Sequence, residues 1–195
     1  MTTTSDAPLG EVLRDGERRG LRFVRHLAHP PETVWRAITE SEQLRHWLPC
    51  DIVGERREGA ALVLPFWPVH VQRYAIPADQ AELTGEIRVW DPPHVFEWTW
   101  DVDVLRFELA PSGAETRLVF TTWIGKSEDH DYPPASTAAG YHVCLDQLVE
   151  LVGTGSVRVG LVDRPTKDWE QRYAAVVGEG ASPRLALGRD PLLRG

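Results

Sequence analysis

Between residues 51 and 124 apolar and polar positions alternate with a period of two, and turn residues interrupt the alternation at short intervals. That periodicity predicts half-buried β-strands rather than helices. Glu82–Trp90 sets Leu83, Gly85, Ile87 and Val89 against Glu82, Thr84, Glu86 and Arg88. Val95–Trp100 places Phe96, Trp98 and Trp100 on one face, and Val104–Ala110 does the same with Leu105, Phe107 and Leu109. Thr116–Trp123 alternates Leu118, Phe120 and Thr122 with Arg117, Val119 and Thr121. Asp91-Pro92-Pro93 and Pro111-Ser112-Gly113 are turns, and Glu58-Gly59 joins two further strands at Asp51–Arg57 and Ala60–Phe66. An earlier strand, Leu21–Ala28, carries Leu21, Phe23 and Arg25 opposite Arg22, Val24 and His26. The pattern is that of an antiparallel meander with one buried and one wetter face.

Helical spacing takes over elsewhere. Pro30-Pro31 ends the first strand, and Val34, Trp35 and Ile38 then form a short apolar face. Ser41 is placed as an N-cap for a second short helix, Glu42–Leu48. Gly140–Val152 aligns Tyr141, Leu145, Leu148 and Val152 on one stripe. Lys167–Val177 turns Trp169, Tyr173 and Val176 or Val177 inward. Residues 67–81 give no clear element, since Pro65, Pro68 and Pro77 interrupt any strand. The expected organisation is a flexible leader over 1–18, one domain over 19–177, and a flexible tail over 178–195. The fold class is α+β, with a curved antiparallel sheet wrapped around a long C-terminal helix.

Bulk properties narrow the function. A chain of 195 residues can bury a sizeable core without metals or disulfides. A net charge of −8, with no basic cluster longer than Arg56-Arg57, speaks against a nucleic-acid partner. Cys50 and Cys144 form no CxxC, and the N-terminal residues lack the features of a secretory signal, so a reduced, cytoplasmic protein is expected. No apolar run approaches the roughly 18–20 residues that span a bilayer, so no membrane insertion is expected. The eight tryptophans read as packing residues.

Local motifs add a resemblance. His29-Pro30-Pro31-Glu32-Thr33-Val34-Trp35-Arg36-Ala37-Ile38 resembles the opening signature of START-like (Bet v 1-type, SRPBCC) proteins. It resembles most closely the branch named for the activator of the heat-shock-protein-90 ATPase. Glu42–Leu48, Gly85-Glu86-Ile87 with Pro92–Trp100, Thr116–Thr121, and Gly140-Tyr141 with Leu145–Leu148 follow in that branch's order, with Tyr141 in place of its usual Trp. The resemblance covers roughly residues 20–155. It implies a helix-grip fold with two short helices after the first strand and an interior that holds an apolar ligand. The same fold carries lipid carriers, receptors, cyclases and co-chaperones, so membership alone does not choose among them.

The candidate ligand-binding residues are Phe96, Trp98, Trp100, Phe107, Phe120, Tyr141, Cys144, Leu145 and Leu148, with Tyr141, Thr122, Arg25, His26 and Tyr74 as polar groups that point inward. The partner expected is a small apolar or aromatic molecule, with no cofactor. Glu128-Asp129-His130-Asp131 lacks metal-ligand spacing and reads as a solvated acidic loop, and His142 with Asp146 reads as a surface pair. No catalytic residue and no metal ligand is assigned, since the chain has no nucleophile elbow and no phosphate loop. Two other readings stay open: an aromatase-, cyclase- or hydrolase-like enzyme using the same cavity, and a co-chaperone-like interaction module.

Overall fold

The computed structural model describes residues 7–125 and 134–177. In chain order the elements are β1 (Glu11–Asp15), β2 (Arg18–Leu27), α1 (Pro31–Thr39), α2 (Ser41–Leu44), β3 (Ala61–Pro65), α3 (Pro68–Tyr74), β4 (Glu82–Asp91), β5 (Val95–Trp100), β6 (Asp103–Ser112), β7 (Glu115–Ile124), α4 (Pro134–Thr154) and α5 (Lys167–Val177). Turns of 3₁₀ helix stand at Ala78–Gln80 and Leu161–Asp163. All seven strands join one antiparallel sheet in the order β1-β2-β7-β6-β5-β4-β3. The sheet curves against α4, which is the expected α+β helix-grip arrangement.

Aromatic rings organise the core. Phe96, Phe107, Phe120 and Phe23 stand opposite one another on β5, β6, β7 and β2, so four of the chain's five phenylalanines form one rung across the sheet. Each meets an aromatic ring from outside that rung. Trp35 of α1 lies 6.1 Å from Phe96, Trp47 lies 6.0 Å from Phe107, Tyr141 of α4 lies 4.9 Å from Phe120, and Tyr173 of α5 lies 6.3 Å from Phe23, centroid to centroid. Tilted and edge-on pairs of this kind add about 0.5–1.5 kcal/mol each beyond the area they bury. The next row inward is Trp98, Leu105, Thr122 and Leu21, all fully buried.

Several elements depart from the sequence expectation, each for a physical reason. Residues 11–15, expected within a loose leader, pair with β2 from Glu11↔Arg22 to Asp15↔Arg18. The hairpin closes at Gly16, whose φ of 58° suits glycine. Asp51–Arg57 is not a strand: it makes only isolated bridges, Cys50↔Phe66 and Val53↔Val63. Arg56 instead folds back to donate to the Thr39 and Ile52 carbonyls at 3.0 and 2.7 Å. Within 67–81, Pro68 starts α3 rather than breaking a strand, because proline in a helix's first turn gives up no hydrogen bond. Glu40, not Ser41, stands at the N-cap of α2. The acidic segment 128–131 and the tail 178–195 lie outside the described residues.

The largest difference concerns α4. It starts at Pro134, six residues before Gly140, and it is buried on two faces rather than one. One face meets the sheet. The other is covered by α5, whose Trp169, Tyr173 and Val177 recur every four residues and turn inward, while Val176 is exposed. The pair His142 and Asp146, expected at the surface, is therefore interior: His142 is fully buried. Its Nδ1 lies 2.8 Å from the Tyr173 hydroxyl, and its ring stacks on Trp169 at 3.7 Å. The Tyr173 hydroxyl also accepts from the Gly10 N–H at 2.8 Å, and Arg25 reaches Asp146 at 3.5 Å. This polar cluster ties β2, α4, α5 and the residues before β1 together.

Candidate functional site

A cavity of about 150 Å³ opens beyond the Trp98 row, at the end of the sheet where β5 turns into β6. Strand alternation puts Trp100 and its partner Asp103 on the concave face there. Ile124 joins them one residue past the last β6–β7 pair, Val104↔Trp123. Phe66, Leu83 and Pro49 close one side. Helix α4 supplies the other: Ser136, Gly140 and Cys144 recur every four residues, with Thr137 and Tyr141 beside them, so one helical face lines the space. Asp101, Val102 and Gly125 form the remaining rim.

Close backbone approaches shape this end of the sheet. A Cβ on Gly125 would fall on the backbone and side chain of Val102, so only glycine lets the β5–β6 turn close against the end of β7. The Gly125 N–H then donates to Asp103 Oδ1 at 2.8 Å, which fixes the carboxylate at the wall. Gly140 is different: beyond its chain neighbours and its own helix's backbone, no described atom lies within 4 Å of where its Cβ would stand.

The site is apolar with a few polar groups. Tyr141 is half-buried and lines the cavity. Burial drives its phenol well above the usual tyrosine pKa, the Asp103 carboxylate pushes the same way, and the Thr122 hydroxyl opposes both. Thr122 Oγ1 is itself buried without a hydrogen bond of good geometry. Burial also pushes the Cys144 thiol up to about 12. Both groups are thus protonated at neutral pH: Tyr141 can donate a hydrogen bond, while neither is a ready base or nucleophile. Among the described residues no group of three or more His, Cys, Asp or Glu side chains is placed to hold a metal ion.

Of the nine candidates named from sequence, Trp100, Tyr141 and Cys144 stand on the cavity wall. Phe96, Trp98, Phe107, Phe120, Leu145 and Leu148 are buried in the packed core. Of the inward polar candidates, Thr122 and Arg25 are buried and Tyr74 is half-buried, but His26 faces solvent on the convex side of β2. Sequence reasoning passed over Asp103, Phe66, Ile124, Ser136 and Thr137. Asp103 carried a readable signal, since it shares parity with Leu105 and Phe107. Ser136 and Thr137 stand four residues before Gly140 and Tyr141, but the helix had been started too late to include them.

The sequence matches the family model described as activator of Hsp90 ATPase homolog 1-like protein over residues 28–153. No curated protein matches it. Among solved structures it resembles a conserved protein of unknown function, EF2215, from Enterococcus faecalis, with a TM-score of 0.69, 20% identity, and 87% of this chain and 90% of the other covered. It also resembles CalU16 from Micromonospora echinospora (TM-score 0.61, 18% identity, 89% and 97% covered). A third similar structure is MLL2253 from Mesorhizobium loti (TM-score 0.54, 21% identity, 68% and 96% covered). At these identities the likeness concerns the fold.

Proposed function

Since the chain belongs to the activator of Hsp90 ATPase homolog 1-like family, we propose that it uses the helix-grip interior to bind a compact apolar or aromatic molecule. The observation that carries this reading is the cavity beside α4, of about 150 Å³ and walled chiefly by Phe66, Leu83, Trp100, Ile124 and Tyr141. A dry cavity of about 150 Å³ in a packed protein accepts a molecule of benzene's size. The volume therefore favours a single ring or short chain over a sterol or a long acyl chain. Burying about 150 Å² of apolar ligand surface at about 25 cal/mol per Å² gives about 4 kcal/mol, or millimolar affinity before any hydrogen bond. A hydroxyl on the ligand that pairs with Tyr141 adds about 1 kcal/mol.

Binding is favoured over a reaction led by Cys144 as nucleophile or Tyr141 as base, because burial holds both groups protonated. Ligand-observed NMR and calorimetry with toluene, p-cresol and indole test the proposal. The expected result is saturable 1:1 binding at or below about 1 mM, with Tyr141→Phe weakening p-cresol relative to toluene. If none of the three binds the wild-type protein saturably, the proposal fails.

A further inference from the structure

Between β3 and β4 the chain leaves the sheet over residues 66–81 and forms α3 on the way. The two ends of this excursion are clasped together, the Phe66 N–H donating to the Ala81 carbonyl at 2.9 Å. Phe66 and Leu83, on either side of that clasp, both line the cavity. A second clasp ties the excursion to the residues after α2. There the Trp67 N–H donates to the Pro49 carbonyl at 3.1 Å, and its indole Nε1–H to the Leu48 carbonyl at 2.9 Å. Beyond the clasps, α3 rests on the turn Leu161–Asp163 and belongs to no strand pairing. Its residues Val69, Gln72 and Arg73 are exposed. At its end Ala75 has φ 49°, a left-handed conformation that alanine adopts only at a cost.

His70 is the buried residue of α3. It is 3% exposed, and neither ring nitrogen has a hydrogen-bond partner. A leucine would fill the same place without desolvating two polar atoms. The His70 ring lies 6.2 Å from that of Tyr74. Burial raises the Tyr74 pKa, Arg73 opposes the rise, and Cys144 and Asp163 add to it. The ionisable groups around this side of α3 are therefore Arg73 and Tyr74 on α3 itself, Cys144 on α4 and Asp163 on the 161–163 turn. Arg164, next along, is held by Gln147 and Glu150, and Asp51 beyond the second clasp accepts from its neighbour's N–H, that of Ile52. Among the described residues none of these groups offsets the burial of His70, which by itself lowers the imidazole pKa to about 4. Cys144 also lines the cavity, so α3 and the cavity share a wall residue.

An imidazole so placed stays docked while neutral, and protonation favours any state in which it reaches water. Undocking α3 unpairs no strand, so it can occur without unfolding the sheet. Resting on the reading of the cavity as a ligand site, we propose that α3 is a lid over that cavity, released by acid when His70 takes up a proton. Lifting it opens the side walled by Phe66, Leu83 and Cys144. With the lid lifted, the imidazole has its ordinary pKa of about 6.5. Closure is therefore fully favoured above about pH 6.5 and weakens as the pH falls toward 4. From pH 7 to pH 5 the opening equilibrium rises about twentyfold.

Hydrogen exchange and ligand release test the two halves of the proposal on the full chain. The Val71 and Ile76 amides donate to the Trp67 and Val71 carbonyls at 3.1 and 3.0 Å, and a helix of seven residues does not survive undocked. Their exchange is expected to proceed by an opening that low urea does not accelerate. Their protection, corrected for the intrinsic pH dependence of exchange, should fall about twentyfold between pH 7 and pH 5. Dissociation of toluene, followed by NMR exchange spectroscopy, should accelerate by a similar factor. His70→Leu and His70→Gln differ in polarity but cannot titrate, and each should abolish both changes. If the α3 amides exchange at the same rate and with the same urea dependence as those of β7, the inference is overturned. A fall in protection that survives in both variants overturns it too. Acid opening of α3 with an unchanged rate of toluene release overturns its placement over the cavity. Absence of toluene binding fails the cavity reading alone, and exchange at Val71 and Ile76 still decides whether acid releases α3.

Discussion

Gly140 offers the sharpest test of the cavity, because its replacement should move stability and binding in opposite directions. It lies inside α4, well away from either end, where glycine is less favourable than alanine by about 0.8–1.0 kcal/mol. A glycine inside a helix is usually explained by a crowded neighbour, but beyond its chain neighbours and its own helix's backbone no described atom lies within 4 Å of where its Cβ would stand, and Gly140 lines the cavity. Gly140→Ala is therefore expected to stabilise the protein by about 1 kcal/mol. In a domain of this size that corresponds to a melting temperature raised by about 2–4 °C. Gly140→Leu goes further, projecting a branched side chain into the space that a ring would take. The fold should tolerate it, and toluene affinity measured by calorimetry should fall by at least about tenfold. Urea denaturation and differential scanning calorimetry give the stability half of the test. A destabilised Gly140→Ala would show that the space is not there. A stable Gly140→Leu that still binds toluene with wild-type affinity would show that the ring binds elsewhere.

Two further predictions concern buried polar groups outside the cavity wall. His70 on α3 is 3% exposed, neither ring nitrogen has a hydrogen-bond partner, and burial lowers its pKa to about 4. Because the unfolded chain takes up this proton at about pH 6.5, stability is lost as the pH falls from about 6.5 toward 4, by roughly 2 kcal/mol at pH 5. His70→Leu should remove that loss, so its advantage over wild type in urea unfolding grows from pH 8 to pH 5; an advantage independent of pH would contradict the assignment. Tyr173→Phe removes the hydroxyl shared by the Gly10 N–H and His142, leaving both buried groups short of a partner. A loss of about 2 kcal/mol is expected, together with faster hydrogen exchange at the Gly10 amide; a variant within about 0.5 kcal/mol of wild type would show that the cluster contributes little.

The strands were legible because their faces alternate, and the alternation predicted the inward positions of β5, β6 and β7; on β4 it failed past Ile87, where a register shift sets Val89 opposite Glu97 and turns Trp90 inward against Phe96. What periodicity could not show was depth. Phe96, Trp98 and Trp100 share a face and a residue type, yet the first two are packed solid and the third borders open space. That difference depends on where α4 crosses the sheet, which no local pattern encodes. The same limit applies to α4 itself. Tyr141, Leu145, Leu148 and Val152 suggested a single apolar stripe, while His142 with Asp146 read as a surface pair. His142 and Gln147 are buried because the chain after α4 brings polar atoms to meet them, with Tyr173 of α5 opposite His142 and the carbonyl of Val159, between α4 and α5, accepting from Gln147 at 2.7 Å. β1 was missed for a simpler reason: five residues with one apolar pair carry too little periodicity to stand out.

The phenylalanine rung sets a consequence for guest size. The four rings each lean on a different partner, Trp35, Trp47, Tyr141 and Tyr173, so α1, the turn after α2, α4 and α5 all take part in holding that level of the core. A ligand one ring long rests short of it. A ligand two rings long would have to unseat Phe120 from Tyr141 and, through Phe107 at 4.6 Å, disturb Trp47 as well. Capacity for a larger guest and the cooperativity of unfolding are therefore the same set of contacts, and a variant bred to accept bulkier molecules should melt less sharply in proportion to the room it gains.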